Sequence, residues 1–378
     1  MNFSLTEEQL TMQKMARDYA ENKIEPVAAE CDEKNEVPME LLQDMILQGF
    51  STMTIPQEYG GSGVDMITAC LVIEELARAC AGITTGAAAN SLASYPILIA
   101  GSHEQKEQYL TPLSEGKFAA FCLTEPGAGS DAGSVATVAR REGDEYVING
   151  SKCFITNGGF ADVYTVFASV DRSKGLKGLT AIVVEKGAAG LSAGKKENKM
   201  GIRASNTSEV FFEDVRVPVS NRLGEEGEGF KIAMTTLDIS RPMVGAMALG
   251  VARAAYERAL KYAKEREQFG RAIAQFQAIQ FKLADMAMEI DAARLLIHRA
   301  AYMVSQKAAR FSLESAMSKC FAGDVAMRVT VEALQVMGGY GYSKEYPMEK
   351  YMRDAKIMQI YEGTNEIQRI VIAQNLLR

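Results

Sequence analysis

Residues 145–156 read EYVINGSKCFIT. β-Prone residues lie on both sides of Asn149 and Gly150, and Asn-Gly between two such runs signals a tight hairpin, because both residues tolerate positive φ. The stretch is expected to form two strands joined at Asn149 and Gly150. Three later runs, DVYTVFAS (162–169), LTAIVVE (179–185) and SEVFFEDVRVP (208–218), are short and rich in β-branched and aromatic side chains, with Gly, Lys and Asp between them. Together they predict a β domain over residues 119–228.

The pattern changes on either side. Upstream, Thr6 and Gln9 have capping-box spacing, and Met12, Met15, Ala16 and Tyr19 follow at helical intervals. Pro38 is expected to open a second helix that Gly49 closes. A loop around Pro56, Gly60, Gly61 and Gly63 leads into an apolar-periodic stretch from Asp65 to Cys80, then Ala- and Leu-rich segments to about Gly101. No strand pattern appears before about Ala119. Downstream of Gly229, Ala, Met and Leu repeat at helical spacing over 230–265, 273–308 and 311–336. The Met-rich stripes read as ordinary core, since methionine fills irregular helical gaps. The expected class is α+β: a helical domain over 1–118, an antiparallel β domain over 119–228 and a second helical domain over 229–378.

Bulk properties narrow the functions. A chain of 378 residues exceeds what one hydrophobic core usually serves. Net charge is -7 with both signs interleaved, so the basic footprint of a nucleic-acid binder is missing. The six cysteines include no C-x-x-C pair, which disfavours a zinc cage or disulfide framework and fits a reducing cytosol. No stretch approaches the roughly 20 apolar residues of a membrane span, and the N-terminus lacks a signal-peptide pattern. The initiator Met argues against a removed transit peptide, so a bacterial cytosol is expected ahead of a mitochondrial matrix.

The two histidines, His103 and His298, lie in no nucleophile motif, and no Glu-x-x-His pair suggests a di-iron site. No metal is expected. A Rossmann turn needs G-x-G-x-x-G between strand and helix, whereas Gly127 and Gly129 stand at the start of the β domain. Redox chemistry would need an organic cofactor. TEPGAGSD (124–131) offers backbone N–H groups beside the hydroxyls of Thr124 and Ser130, suited to a heterocycle edge or a phosphate. By itself it reads equally as a plain Gly-rich loop.

The combination is more specific. FCLTEPGAGSD (121–131), FITNGG (154–159), REQFG (266–270), QVMGGYGY (335–342) and IYEGTNEIQR (360–369) occur in this order across an α-β-α arrangement. Over essentially its whole length the chain resembles the acyl-CoA dehydrogenase family, most closely the short- and medium-chain and butyryl-CoA members. The resemblance implies that family's fold, with a C-terminal four-helix bundle, and FAD held between the β domain and the helices while a neighbouring subunit covers its adenosine end.

Matching positions imply roles. Phe121, Leu123, Thr124 and Ser130 match the first flavin segment, with Thr124 on the pyrimidine edge. Phe154, Ile155 and Thr156 match the second, Phe154 standing where many relatives have Trp. Arg266, Phe269 and Gln277 match a segment reaching the pyrophosphate and adenosine of a neighbouring subunit's FAD, and Gln335, Val336, Met337, Gly338 and Gly339 match another. Without the resemblance, Arg266 is a solvated helix charge and Gly338 a helix C-cap. Thr364, Asn365 and Glu366 match the contact with the adenosine ribose and pyrophosphate, with Glu366 in place of Gln. Asp238 and Arg241, in LDISRP (237–242), are similar to the CoA-binding segment; an i,i+3 ion pair is the plainer reading. Ser130 is expected to touch substrate as well.

The family supplies its catalytic base from one of two positions. Here the Tyr361-Glu362-Gly363-Thr364 position keeps Glu, while the other, within LDISRP, is Ser240. Glu362 is therefore the expected base, with Tyr361 and Gly363 beside the substrate. Tyr95, in NSLASYPI (90–97), falls where relatives line the acyl cavity, and its bulk suggests a short or compact acyl group. Electron-transferring flavoprotein is the implied partner and a homotetramer, a dimer of dimers, the implied assembly. Open alternatives are the reverse reaction on an enoyl-CoA, a non-catalytic flavin or CoA scaffold, and an acyl-CoA oxidase.

Overall fold

In the computed structural model, which describes residues 4–377, the first helix starts at its predicted cap. The Gln9 N–H donates to Thr6 Oγ1 (3.2 Å) and the Thr6 N–H to Gln9 Oε1 (3.0 Å). α1 (Glu7–Tyr19) runs through a π-helical turn (Ala20–Ile24) into α2 (Glu25–Lys34), which stops at Asn35 with φ 57°. The sequence reading passed over α2, whose Pro26 sits in the first turn, where a helix tolerates it. α3 (Met39–Leu47) follows Pro38 as expected. α4 (Met66–Ala100) is capped by Asp65, which accepts from the Thr68 N–H at 2.7 Å, and breaks at Cys80 (φ −160°, ψ 108°), where the apolar pattern changes. α5 (His103–Ser114) completes this block.

The strands are β1 (Ala119–Cys122), β2 (Val138–Glu142), β3 (Glu145–Thr156), β4 (Val163–Ser169), β5 (Leu179–Glu185), β6 (Leu191–Lys196), β7 (Thr207–Pro218) and β8 (Arg222–Leu223). Their order is β6-β7-β3-β2-β4-β5-β8, with β1 also on β4. Pairing is mostly antiparallel, but β1 runs parallel to β4 and Val138 of β2 pairs parallel with Ser169.

The hairpin expected within EYVINGSKCFIT is absent: the stretch is the single 12-residue strand β3. The turn lies earlier, at Gly143 (φ 63°) and Asp144, where Glu142 pairs with Glu145. Asn149 and Gly150 instead mark an irregularity against β7, whose Asp214 adopts φ 52°. Asn149 Nδ2 donates to Asp214 Oδ1 and the Asp214 N–H to Asn149 Oδ1, both at 2.9 Å. A Cβ at position 150 would lie 2.4 Å from Thr137 Oγ1. Glycine is therefore required by close approach at a bulge, a signal that looks the same in sequence as a turn.

α6 (Gly229–Glu265) runs through the middle of the molecule. A small hairpin, β9 (Glu267–Gln268) and β10 (Arg271–Ala272), leads to α7 (Gln277–Ser305), α8 (Ser312–Met337), α9 (Gly339–Tyr342), α10 (Met348–Ile357) and α11 (Asn365–Leu376). α6, α7 and α8 pack on one another and α11 packs on α8, giving the C-terminal helical group, while α6 also lies along α4. Gly250 makes that approach possible, since a Cβ there would meet Glu74 O at 2.4 Å. One apolar core fills the helical interior; a second joins α4, α5 and the start of α6 to one face of the sheet, and a third covers the other face. Among the described residues no helix is long and apolar enough to cross a membrane.

A buried ion pair fixes the loop after β1. Lys152 Nζ donates to Leu123 O (3.1 Å), Glu125 Oε1 (2.7 Å) and Phe167 O (2.6 Å). Glu125 also accepts from the N–H groups of Ala136 (2.6 Å) and Thr137 (3.0 Å). Removing one member of such a pair strands the other charge. Lys152→Met is expected to destabilise the fold by about 3 kcal/mol in denaturant unfolding; a loss under about 1 kcal/mol would show that the pair is not holding this loop.

Candidate active site

Two helix faces, two strand ends, the loop after β1 and the turn before α11 line one cavity. On α4, Thr85, Ala88, Leu92 and Tyr95 line it at 3–4–3 spacing; on α6, Met234, Leu237, Arg241 and Val244 do the same. The remaining wall comes from the end of β1 with its loop (Phe121, Leu123, Thr124, Ser130), the end of β3 (Phe154, Ile155, Thr156) and the turn before α11 (Tyr361, Glu362, Gly363). The cavity thus gathers expected flavin-segment and substrate residues from five separate parts of the chain.

Glu362 has φ 53°, a rare conformation for a residue with a Cβ, held by its surroundings. Gln368 Nε2 donates to Glu362 O (3.2 Å) and Gly363 O (2.9 Å), and Thr364 caps α11 by accepting from the Ile367 N–H (3.3 Å). The Ser240 hydroxyl donates to Glu362 Oε2. Burial raises the Glu362 pKa above the ordinary carboxylate range, while the Ser240 hydrogen bond and the nearby Arg241 and Lys319 charges pull it down. Among the described residues the Glu362 N–H has no acceptor.

Arg241 lies deep beside this carboxyl. Its Nη1 donates to Asp238, whose other oxygen accepts from the Ser312 hydroxyl, while Arg241 Nε has no partner among the described residues. Arg241 lines the cavity, but Asp238 does not; the i,i+3 ion pair is formed. Deeper in, the Tyr95 hydroxyl lies 3.2 Å from Met243 Sδ and 3.3 Å from Thr54 Oγ1, and the Tyr361 hydroxyl lies 3.2 Å from Met247 Sδ. Met243 and Met247, read from sequence as core only, belong to both the core and the cavity wall.

The other expected cofactor residues lie elsewhere. Arg266, Phe269, Val336, Met337, Gly338 and Gly339 line a second pocket at the end of α6 and α8. There Phe269 is 94% exposed at φ 52°, and the Arg266 guanidinium lies 5.4 Å from the Tyr340 ring centroid. Gly338 ends α8, its N–H donating to Leu334 O and Gln335 O at 3.1 Å. Gln277 and Gln335 are exposed and line neither pocket. Asn365 is buried and bonded to Lys319, Cys320 and Asp324, and Glu366 is exposed in the first turn of α11. Within one chain, Thr364, Asn365 and Glu366 do not join the cavity lining.

The cavity suits a flat, polar-edged ring. Phe154 is 65% exposed at φ 57°, beside the hydroxyls of Thr124, Ser130 and Thr156. Among the described residues, Cβ atoms built on Gly127 and Gly129 would meet nothing within 4 Å, leaving an open cradle. Sequence reasoning missed Lys319, which stands in no motif, and the role of Ser240 as hydrogen-bond donor to Glu362, since within LDISRP it reads only as the second base position lacking Glu. Among the described residues no three His, Cys, Asp or Glu side chains are grouped to hold a metal ion.

Family models for the N-terminal, middle and C-terminal domains of acyl-CoA dehydrogenase match residues 6–117, 120–215 and 227–377. The short-chain-specific acyl-CoA dehydrogenase of Clostridium acetobutylicum is 49% identical over 382 residues, covering 100% of both chains. A 3-(aryl)acrylate reductase of Clostridium sporogenes is 48% identical, covering 99% of each. Among solved structures, butyryl-CoA dehydrogenase from Megasphaera elsdenii superposes with a TM-score of 0.98 at 50% identity, covering 100% of both chains. A chain from a structural study of the electron transferring flavoprotein of Acidaminococcus fermentans matches equally well, with TM-score 0.98, 50% identity and 100% of both chains covered.

The hydrogen bond from Ser240 favours the ionised form of Glu362. Ser240→Ala should therefore raise the pH midpoint of Glu362 ionisation, by roughly half a unit to one unit. Difference infrared spectroscopy of the protonated carboxyl, referenced to Glu362→Gln, measures it; a midpoint unchanged or lowered would mean the contact does not act on the carboxylate.

Proposed function

Because the chain belongs to the acyl-CoA dehydrogenase family, we propose that it desaturates a short or compact acyl-CoA between Cα and Cβ to the trans-2-enoyl-CoA, with Glu362 as base. The enzyme is an oxidoreductase of acyl-CoA thioesters and its cofactor is FAD. The observation that carries the finer reading is the Glu362 carboxyl, raised in pKa by burial and set in the wall of the cavity that also exposes Thr124 and the Phe154–Thr156 strip.

When bound, FAD supplies the acceptor, at N5, for the hydride that leaves Cβ. Thr124 would hold the ring edge, and Phe154, Ile155 and Leu123 would form its apolar wall. The Glu362 carboxylate takes the proton from Cα, so one proton and one hydride leave and the Cα–Cβ bond becomes double. The free Glu362 N–H is available to the thioester oxygen, where enolate-like charge develops, as in an oxyanion hole. A base whose pKa is brought toward the working pH takes up the proton readily without remaining protonated beforehand. Arg241 lies in the cavity wall near Glu362, and Asp238, outside the lining, orients it through their ion pair; contact with CoA is the role that the resemblance implies for the two.

Tyr95 sets the floor. The residue is 4% exposed and its hydroxyl is fixed between Thr54 and Met243, so a long acyl chain would have to displace a packed side chain. Anaerobic titration with saturated acyl-CoAs of increasing length, following flavin bleaching, tests the reading. Wild type should bleach with chains of about four to six carbons, and Tyr95→Gly should extend the range to longer ones. No gain on longer chains would remove Tyr95 from the account, and no bleaching by any saturated thioester would remove the forward reaction.

The reductase direction is the second reading, favoured by the 48% identity to the 3-(aryl)acrylate reductase. One site serves both directions, so crotonyl-CoA with a reduced donor against butyryl-CoA with an acceptor separates them. Electron-transferring flavoprotein is the proposed redox partner and the bacterial cytosol the proposed compartment. The domain limits proposed are 1–118, 119–228 and 229–378.

A homotetramer is proposed as the working assembly. The second pocket, with exposed Phe269 and the Arg266–Tyr340 stack, would then meet a neighbour's FAD, as the resemblance implies for Arg266, Phe269, Gln277 and residues 335–339. On α7, Phe281, Met288, Leu295 and Tyr302 are 59%, 63%, 47% and 56% exposed at seven-residue spacing. Such an apolar stripe suits burial against another copy. Met288→Lys is expected to lower the assembled mass in sedimentation; a mass equal to wild type would place the interface elsewhere.

A further inference from the structure

Lys319 is a buried cation that, among the described residues, has no carboxylate at hydrogen-bond distance. It stands on α8, where its side chain has no contact with solvent, and its Nζ donates to Gly363 O at 2.8 Å and Asn365 Oδ1 at 3.2 Å. A fully buried ammonium is expensive to desolvate, and two neutral oxygens only partly offset that. Gly363 lies on the turn that carries Glu362, and Asn365 opens α11 directly after it. Asn365 is held in turn by Cys320 O (3.0 Å) and Asp324 Oδ1 (2.8 Å), so the turn is tied to α8 at several points.

We propose that Lys319 is a positioning residue for the base: it clamps the Glu362–Asn365 turn onto α8 and supplies a cation that favours the ionised carboxyl. The inference rests on the reading of Glu362 as base. Electrostatics in this region are shared among several elements. Glu362 lies on the turn, Arg241 with its partner Asp238 on α6, and Cys320 and Asp324 on α8, with Asp324 paired to Arg369 of α11. Burial pushes the Lys319 ammonium down to about 8, against the attraction of Glu362. Below that pH it is charged and acts on Glu362 in the same direction as Arg241.

The sign follows from that arrangement. Removing a nearby cation disfavours the carboxylate, so the Glu362 midpoint must rise. In Lys319→Gln, which keeps a donor but not the charge, difference infrared titration should show that midpoint about one pH unit higher than in wild type. Flavin bleaching by substrate below the midpoint should slow about tenfold. Lys319→Arg keeps the charge but not the compact three-donor head, so its midpoint should match wild type while bleaching slows severalfold.

An unchanged midpoint in Lys319→Gln would overturn the proposal, because a purely structural lysine would alter stability and leave the carboxyl's titration alone. Should the Gln variant fail to retain flavin, the Arg variant decides: a wild-type midpoint with slowed bleaching supports the proposal, and wild-type bleaching contradicts it. Glu362→Gln measured alongside separates the two readings. If that variant bleaches like wild type, the base assignment fails; if it does not bleach while Lys319→Gln matches wild type, only the Lys319 role fails.

Discussion

The site depends on keeping one carboxyl inside a largely apolar cavity without neutralising it permanently. For the proposed role of Glu362 as base, desolvation alone would leave the carboxyl protonated, whereas an intimate ion pair would make it too weak. Its neighbours lie between those limits. Ser240 gives one direct hydrogen bond, and Arg241 and Lys319 exert their charges without forming a salt bridge to it. Arg241 is engaged by Asp238, and Lys319 by backbone and amide oxygens.

That balance needs several elements to meet within a few ångströms, which the α-β-α arrangement provides. α4 and α6 are long helices held together by the close approach at Gly250, and the second half of α4 and the first half of α6 face each other across the cavity. The β domain contributes a loop that would otherwise be loose, since it contains Gly127 and Gly129. The buried Lys152–Glu125 pair ties its base to β3 and β4, so Thr124 and Phe154 are presented from connected parts of the sheet. The positive φ values of Phe154, Phe269 and Glu362 belong to the same design: three non-glycine residues in a strained region stand in the two pockets.

Much of this was legible in the sequence because it follows local rules. The Thr6 capping box, the Asp65 helix start, the β-branched runs of β4, β5 and β7, and the three long C-terminal helices are set by short-range patterns. The Asn149–Gly150 signal failed because a bulge and a turn use the same residues, and only the partner strand decides between them. β6, with its polar LSAGKK, carries little strand signal and owes its place to pairing with β7. In the site, motif residues such as Thr124, Phe154 and Glu362 could be named in advance. Lys319 could not, since its meaning comes from a turn 43 positions later in sequence folding back over α8 (362 minus 319).

The central claim is that Glu362 removes the proton from Cα. It is tested most directly with a thioester whose β-carbon is replaced by sulfur, which can lose the α-proton but cannot give up a hydride. Deuterium uptake at Cα from D2O, followed by mass spectrometry, should be fast with wild type and reduced to the uncatalysed level with Glu362→Gln, provided both retain FAD. Uptake at the wild-type rate in the variant would contradict the account and assign the proton transfer to another group in the cavity.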